Sequence, residues 1–136
     1  MAANGTDIVF GSFHGATGVE IQAPGVIDPG HWQYFAITVS GTVARLYRDG
    51  VFLGAANLPD SLGHIRRIKN YLGRSNRAGE GYYKGMIDEA RLERVARSAD
   101  WIKLSFETQR PDRRALAFAP IIPCVPRFLA PSDTSM

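Results

Sequence analysis

Two stretches alternate apolar and polar residues on either side of an Asp-Gly pair: His31-Trp32-Gln33-Tyr34-Phe35-Ala36-Ile37-Thr38-Val39 and Ala44-Arg45-Leu46-Tyr47-Arg48-Asp49-Gly50-Val51-Phe52-Leu53-Gly54. Such alternation predicts antiparallel strands joined by tight turns. In the first strand Trp32, Tyr34, Ala36 and Thr38 face one way and Gln33, Phe35, Ile37 and Val39 the other. Both sets are largely apolar, which predicts an interior strand covered on both faces. Ser40-Gly41-Thr42 is a hairpin turn, and Val43 to Tyr47 returns alongside. Asp49-Gly50 suits a type I′ turn, in which both central residues take positive φ, so Val51-Phe52-Leu53 pairs back onto its predecessor.

The same pattern places shorter strands upstream at Ile8-Val9-Phe10 and Val19 to Gln22, with Gly11, Gly15 and Gly18 as turn material between them. Pro24-Gly25 and Pro29-Gly30 then punctuate the chain. Downstream, Tyr71-Leu72-Gly73 reads as a strand, Ser75 to Gly81 as a polar loop, and Lys84 to Glu93 as a long strand with Met86, Ala90 and Leu92 on its apolar face. One helix is predicted, capped by Ser98 and running toward Thr108, with Asp100 favourable in its first turn and Pro111 beyond its end. Ala99, Ile102 and Phe106 share one helix face, which suits a helix lying on a sheet. A last strand is expected at Ala115 to Ala119. From Pro120 to Met136, Pro123, Pro126 and Pro131 predict a mobile tail. The expected organisation is a disordered N-terminus over 1–7, a β domain over 8–119 and a proline-rich tail over 120–136.

Length and composition agree with one small domain, since 136 residues with 45% apolar and 21% charged side chains are globular in character. A formal charge of +3 is too small to argue for a nucleic-acid partner. The single cysteine, Cys124, allows no internal disulfide. The N-terminal residues have neither the basic start nor the apolar run of a signal peptide, and no apolar stretch approaches the ~20 residues that cross a bilayer, so no membrane insertion is expected.

The order of these pieces resembles the laminin-G-like domains of the concanavalin A-like lectin and glucanase superfamily, in particular a bacterial subgroup. The resemblance is carried by Trp32 and Ala36, Leu46-Tyr47-Arg48-Asp49-Gly50, Leu72-Gly73 and Tyr83-Lys84-Gly85-Met86-Ile87-Asp88-Glu89-Ala90-Arg91. It extends to Ala96-Arg97-Ser98-Ala99-Asp100-Trp101-Ile102 with Gln109-Arg110-Pro111. Each piece alone is weak, but their co-occurrence in order is specific. The resemblance implies an all-β, antiparallel jelly-roll sandwich with one short C-terminal helix, in an extracellular or cell-surface protein. Members of the family usually begin with further strands, one bearing a Trp, for which no counterpart precedes Trp32. An N-terminally truncated sandwich is therefore expected, with an open sheet edge or face that pairs with a second copy or with an N-terminal segment of a parent protein.

Some relatives of this fold are glycoside hydrolases, in which a retaining mechanism needs two carboxylates about 5–5.5 Å apart. Asp88 and Glu89 are adjacent and point to opposite faces of a strand. Glu89 and Glu93 share a face but lie ~13 Å apart at about 3.3 Å per residue. No enzyme is expected, and hydrogen bonds or ion pairs that fix neighbouring loops are the plain reading of these carboxylates. His14, His31 and His64 lack metal-ligand spacing. No cofactor is certain; calcium on the sandwich rim is implied by the family, with Asp49, Asp60 and Asp88 as candidate oxygen donors, although Asp49 also reads simply as the hairpin turn residue.

The basic concentration Arg66-Arg67-Ile68-Lys69 with Arg74 and Arg77 offers charge-assisted hydrogen bonds to acidic or sulfated glycans, against the plain alternative of a solvated strand and loop. Tyr82 can stack on a sugar ring, while Tyr83 is expected to pack in the core. Nucleic acid is not an expected partner, because Tyr71 alone makes no stacking platform. The candidate ligand-binding residues are therefore Arg66, Arg67, Lys69, Arg74, Arg77 and Tyr82, in a non-catalytic module that binds carbohydrate or another extracellular polymer. The alternative is a structural or interaction domain that docks onto a partner segment or self-associates.

Overall fold

The computed structural model describes residues 5–14, 17–62, 66, 68–75, 79 and 81–110. Its elements are β1 (Ile8–His14), β2 (Thr17–Ala23), β3 (Phe35–Ser40), β4 (Val43–Arg48), β5 (Val51–Asn57) and α1 (Ala99–Gln109). Among the described residues the strands form two antiparallel sheets, β1-β2 and β3-β4-β5, which with one short helix constitute an all-β sandwich architecture. The expected Ala115 strand and the tail lie outside the described residues.

Both local hairpin expectations hold in detail. Asp49 and Gly50 have φ of 51° and 78°, the paired positive values of a type I′ turn. Gly41 alone is positive in the β3–β4 turn, at 59°, which fits the glycine-first type II′ turn. Between Leu46 and Tyr47 the β4–β5 register shifts and leaves Leu53 as a bulge. The β1–β2 hairpin is longer than expected, and Gly11 and Gly18 sit within its strands rather than in a turn. Their lack of a side chain makes room for the Phe13 ring, which a Cβ at either position would strike.

The core lies between the sheets. Ile21 and Ala23 of β2 meet Ala44 and Leu46 of β4 and Leu58 beyond β5, with Phe10, Val39, Leu53 and Ala56 packed around them. Residues of β4 alternate between Ala44 and Leu46, which enter this core, and Arg45 and Tyr47, which face the helix side. Upstream, the Thr6 carbonyl accepts from Ile27 N–H at 2.8 Å and Asp7 Oδ1 from Gly25 N–H at 2.8 Å, tying the start of β1 to the turn after β2.

The interior strand is β4, not the one expected around Trp32. Among the described residues β3 is an edge, Ile37 on it is 45% exposed, and the strand begins only at Phe35. Gln33 explains the late start, because its Oε1 accepts from Asp28 N–H at 2.9 Å and its Nε2 donates to the Val26 carbonyl at 3.3 Å. Those bonds hold the loop and leave the adjacent Trp32 exposed.

The expected strands at 71–73 and 84–93 do not form. Among the described residues, the pairing there is a single antiparallel bridge, Arg74 with Tyr82. An alternating segment becomes a strand only when a neighbour satisfies its backbone donors and acceptors, and Glu89 takes φ of 49°, which breaks extended geometry. Met86, Ile87 and Leu92 are consequently exposed instead of packed.

The helix follows its local code. Ser98 is the N-cap, its Oγ accepting from Trp101 N–H at 3.2 Å, and Asp100 stands in the first turn. Ile102 and Ser105 are buried and Phe106 is half-buried, whereas Ala99, expected on the same face, is exposed. Phe106 lies 6.2 Å from the Tyr34 ring, and Lys103 backs onto Gly50, so the helix covers the side of the three-stranded sheet opposite the core. Among the described residues, no helix is long and apolar enough to cross a membrane.

Candidate functional site

The bridge between Arg74 and Tyr82 draws these two candidate residues into one exposed cluster with Tyr71. Tyr83 N–H donates to the Gly73 carbonyl at 2.8 Å, and this closes the loop that carries them. The Arg74 guanidinium carbon lies 4.3 Å from the centroid of the Tyr71 ring and 5.8 Å from that of Tyr82. Both distances are within cation–π range. Tyr71 is 45% and Tyr82 72% exposed, so the two rings flank the cation and remain open to solvent. An arginine whose guanidinium lies near two rings keeps donors on its rim for a polar ligand, while each ring offers an apolar face.

Arg66 and Lys69 are also exposed, on the segment leading into this cluster. Arg67 and Arg77 lie outside the described residues. Tyr83, expected in the core, is instead half-exposed, with its ring folded over Gly85 and its hydroxyl donating to the Met86 carbonyl at 3.3 Å.

Of the carboxylates weighed for catalysis or metal binding, Glu89, Glu93 and Asp49 have local structural partners. Glu89 Oε2 accepts from Arg91 at 2.7 Å and from Gln109 Nε2 at 2.9 Å, linking the irregular segment to the end of α1. Glu93 is paired with Arg97. Asp49 spends one oxygen on Tyr34 N–H at 2.9 Å and the other on Arg48 Nε at 3.2 Å. Asp49 thereby serves as the anchor between the turn and the entry of β3. Among the described residues, no three His, Cys, Asp or Glu side chains gather in a metal-binding group. His31 instead meets Asp28, Nδ1 to Oδ2, at 2.9 Å.

A second polar feature was not legible as a motif. Thr38 and Ser40 of β3, Arg45 and Tyr47 of β4 and the 96–99 segment entering α1 line a hollow of about 380 Å³. Its residues are separated by half the domain in sequence, and only the packing of α1 over the sheet brings them together.

The family model of the concanavalin A-like lectin/glucanases superfamily matches residues 2–103. The chain belongs to this superfamily. No curated protein matches it. Among solved structures it is similar to an S-layer domain-containing protein, residues 221–444, from Clostridium thermocellum ATCC 27405, at 28% identity and a TM-score of 0.53. The similarity covers 74% of this superfamily member and 51% of that chain, so the present chain spans about half of the neighbour's length. Together these findings place the chain among laminin-G-like, concanavalin A-like domains in architecture.

Proposed function

We propose that the chain is a non-catalytic recognition module of a cell-surface protein that binds carbohydrate through Arg74, Tyr71 and Tyr82, with Arg66 and Lys69 adding positive charge. The observation that carries this reading is the guanidinium of Arg74 within cation–π distance of two exposed tyrosine rings. Sugars present apolar C–H faces and polar rims, and an aromatic pair around a cationic fork complements both. Arg67 and Arg77 belong to the same basic concentration in sequence and are included in the proposal on that ground. Superfamily membership and the S-layer domain-containing neighbour support the surface setting. The absence of catalysis is part of the proposal; it is supported by the commitment of Glu89 and Glu93 to ion pairs.

Co-sedimentation with insoluble bacterial cell-wall polysaccharide tests the reading. Retention that is lost in Tyr82→Ala, while its unfolding midpoint is unchanged, is the expected result. Equal retention of Tyr82→Ala and Arg74→Ala with the parent chain overturns it.

A second reading is favoured by the exposed apolar residues Met86, Ile87, Leu92 and Val95 on the unpaired segment. Under that reading a second copy of this chain pairs with the segment and covers them, as expected of an open strand-like edge. Sedimentation velocity across a concentration series distinguishes it: a dimer weakened by Leu92→Lys supports it, and a monomer at every concentration removes it.

A further inference from the structure

The hollow between the three-stranded sheet and the start of α1 has the chemistry of a ligand site distinct from the Arg74 cluster. Thr38 pairs with Arg45 across β3 and β4, and Ser40 and Tyr47 lie two residues along on the same sheet face. The opposite wall is the 96–99 segment, ending at the helix cap. Thr38 is 8% and Tyr47 4% exposed, yet neither hydroxyl has a hydrogen-bond partner among the described residues, and neither is sealed from the hollow. Hydroxyls that open onto an accessible hollow and are unpaired among the described residues are free both to donate to and to accept from a ligand.

The charges define what enters. Arg97 is neutralised by Glu93 and stacked on Trp101 at 4.7 Å, whereas Arg45 has no ion pair among the described residues. The first turn of α1 adds the Ala99 and Asp100 N–H groups, which have no intrahelical acceptor, and the positive end of an eleven-residue helix. One unpaired cation among neutral hydroxyls matches a single negative charge on a hydroxylated ligand. Such a set is poorly matched to the several charges of a polyphosphate. A volume of about 380 Å³ lies at the small end of ligand pockets, which run from about 300 to 1,000 Å³.

The geometry points to a binding site for the carboxylate-bearing sugar of an acidic polysaccharide, with Arg45 on the carboxylate and Thr38, Tyr47 and Ser98 on the sugar hydroxyls. This inference rests on the carbohydrate reading above but uses other residues. Backbone amide shifts of the full chain, titrated with galacturonic acid oligomers, neutral galactose oligomers and sodium acetate, test it. The uronate oligomer is expected to shift Thr38, Arg45, Tyr47 and Ala99 at concentrations where the neutral oligomer and acetate do not. Losing one charge-assisted hydrogen bond in Arg45→Ala is expected to weaken binding about tenfold or more, and Thr38→Val about threefold. Uronate shifts confined to the surroundings of Arg74 and Tyr82 would overturn the hollow as a site and leave the first proposal standing. Hollow shifts that persist when Tyr82→Ala no longer sediments with polysaccharide support the hollow on its own. Equal response to the neutral oligomer or to acetate, or an unchanged affinity in Arg45→Ala, overturns the inference.

Discussion

Tyr34 and Asp49 hold each other by two hydrogen bonds: Asp49 N–H donates to the Tyr34 carbonyl at 2.8 Å, and Tyr34 N–H donates to Asp49 Oδ1 at 2.9 Å. The β4–β5 turn is thereby fastened to the entry of β3. One residue thus closes a hairpin through its backbone and anchors the neighbouring strand through its side chain. Asp49→Ala removes the carboxylate acceptor and leaves Tyr34 N–H unmatched, with an expected loss of about 1.5–3 kcal/mol. Asp49→Asn keeps an acceptor oxygen and tolerates positive φ, so urea unfolding should show a smaller loss for it than for alanine.

Gly50 faces the helix as well as the turn. Its φ is 78°, and a Cβ there would stand 3.1 Å from Lys103 Cα. Gly50→Ala therefore combines left-handed strain of about 1–2 kcal/mol with a tight contact against the backbone of α1. Gly41, at φ of 59°, has nothing within 4 Å of the same position and carries the strain alone. Thermal unfolding should rank Gly50→Ala as the more destabilised of the two.

Ser98 caps the helix through Trp101 N–H. Ser98→Ala is expected to cost about 1 kcal/mol, and Ser98→Asp to restore most of it, since aspartate is an equally good cap. Chemical unfolding followed by far-ultraviolet circular dichroism checks both variants.

The segment from Met86 to Val95 leaves apolar side chains in water. Leu92→Lys and Ile87→Lys should leave the unfolding free energy within about 0.5 kcal/mol of the parent, because neither side chain is in the described core. Denaturant titration measures this, and a large loss would mean that the segment packs as a strand after all.

What was legible in the sequence is what short-range chemistry encodes. Asp49-Gly50 and Gly41 specify their turns by backbone preference, and Ser98 specifies the helix start by a bond three residues long. The strands expected at 71–73 and 84–93 depend on distant partners, and alternation in Met86, Ala90 and Leu92 carries no information about whether a partner is present. β3 was misplaced for a related reason, since the Gln33 side chain bonds that hold its approach have no periodic trace. Arg74 and Tyr82 were readable as charge and aromaticity, but their stacking with Tyr71 depends on the Arg74–Tyr82 bridge. The hollow was not readable, because Thr38, Arg45 and Arg97 meet only when α1 docks.

Carbohydrate recognition by the cationic–aromatic cluster is tested most directly by affinity electrophoresis in gels containing soluble cell-wall polysaccharide, comparing the parent chain with Tyr82→Ala, Arg74→Ala and the double variant. Because Arg74 and Tyr82 act as one stacked unit, each single variant should lose most of the retardation and the double variant little more. Undiminished retardation in all three variants would contradict the account.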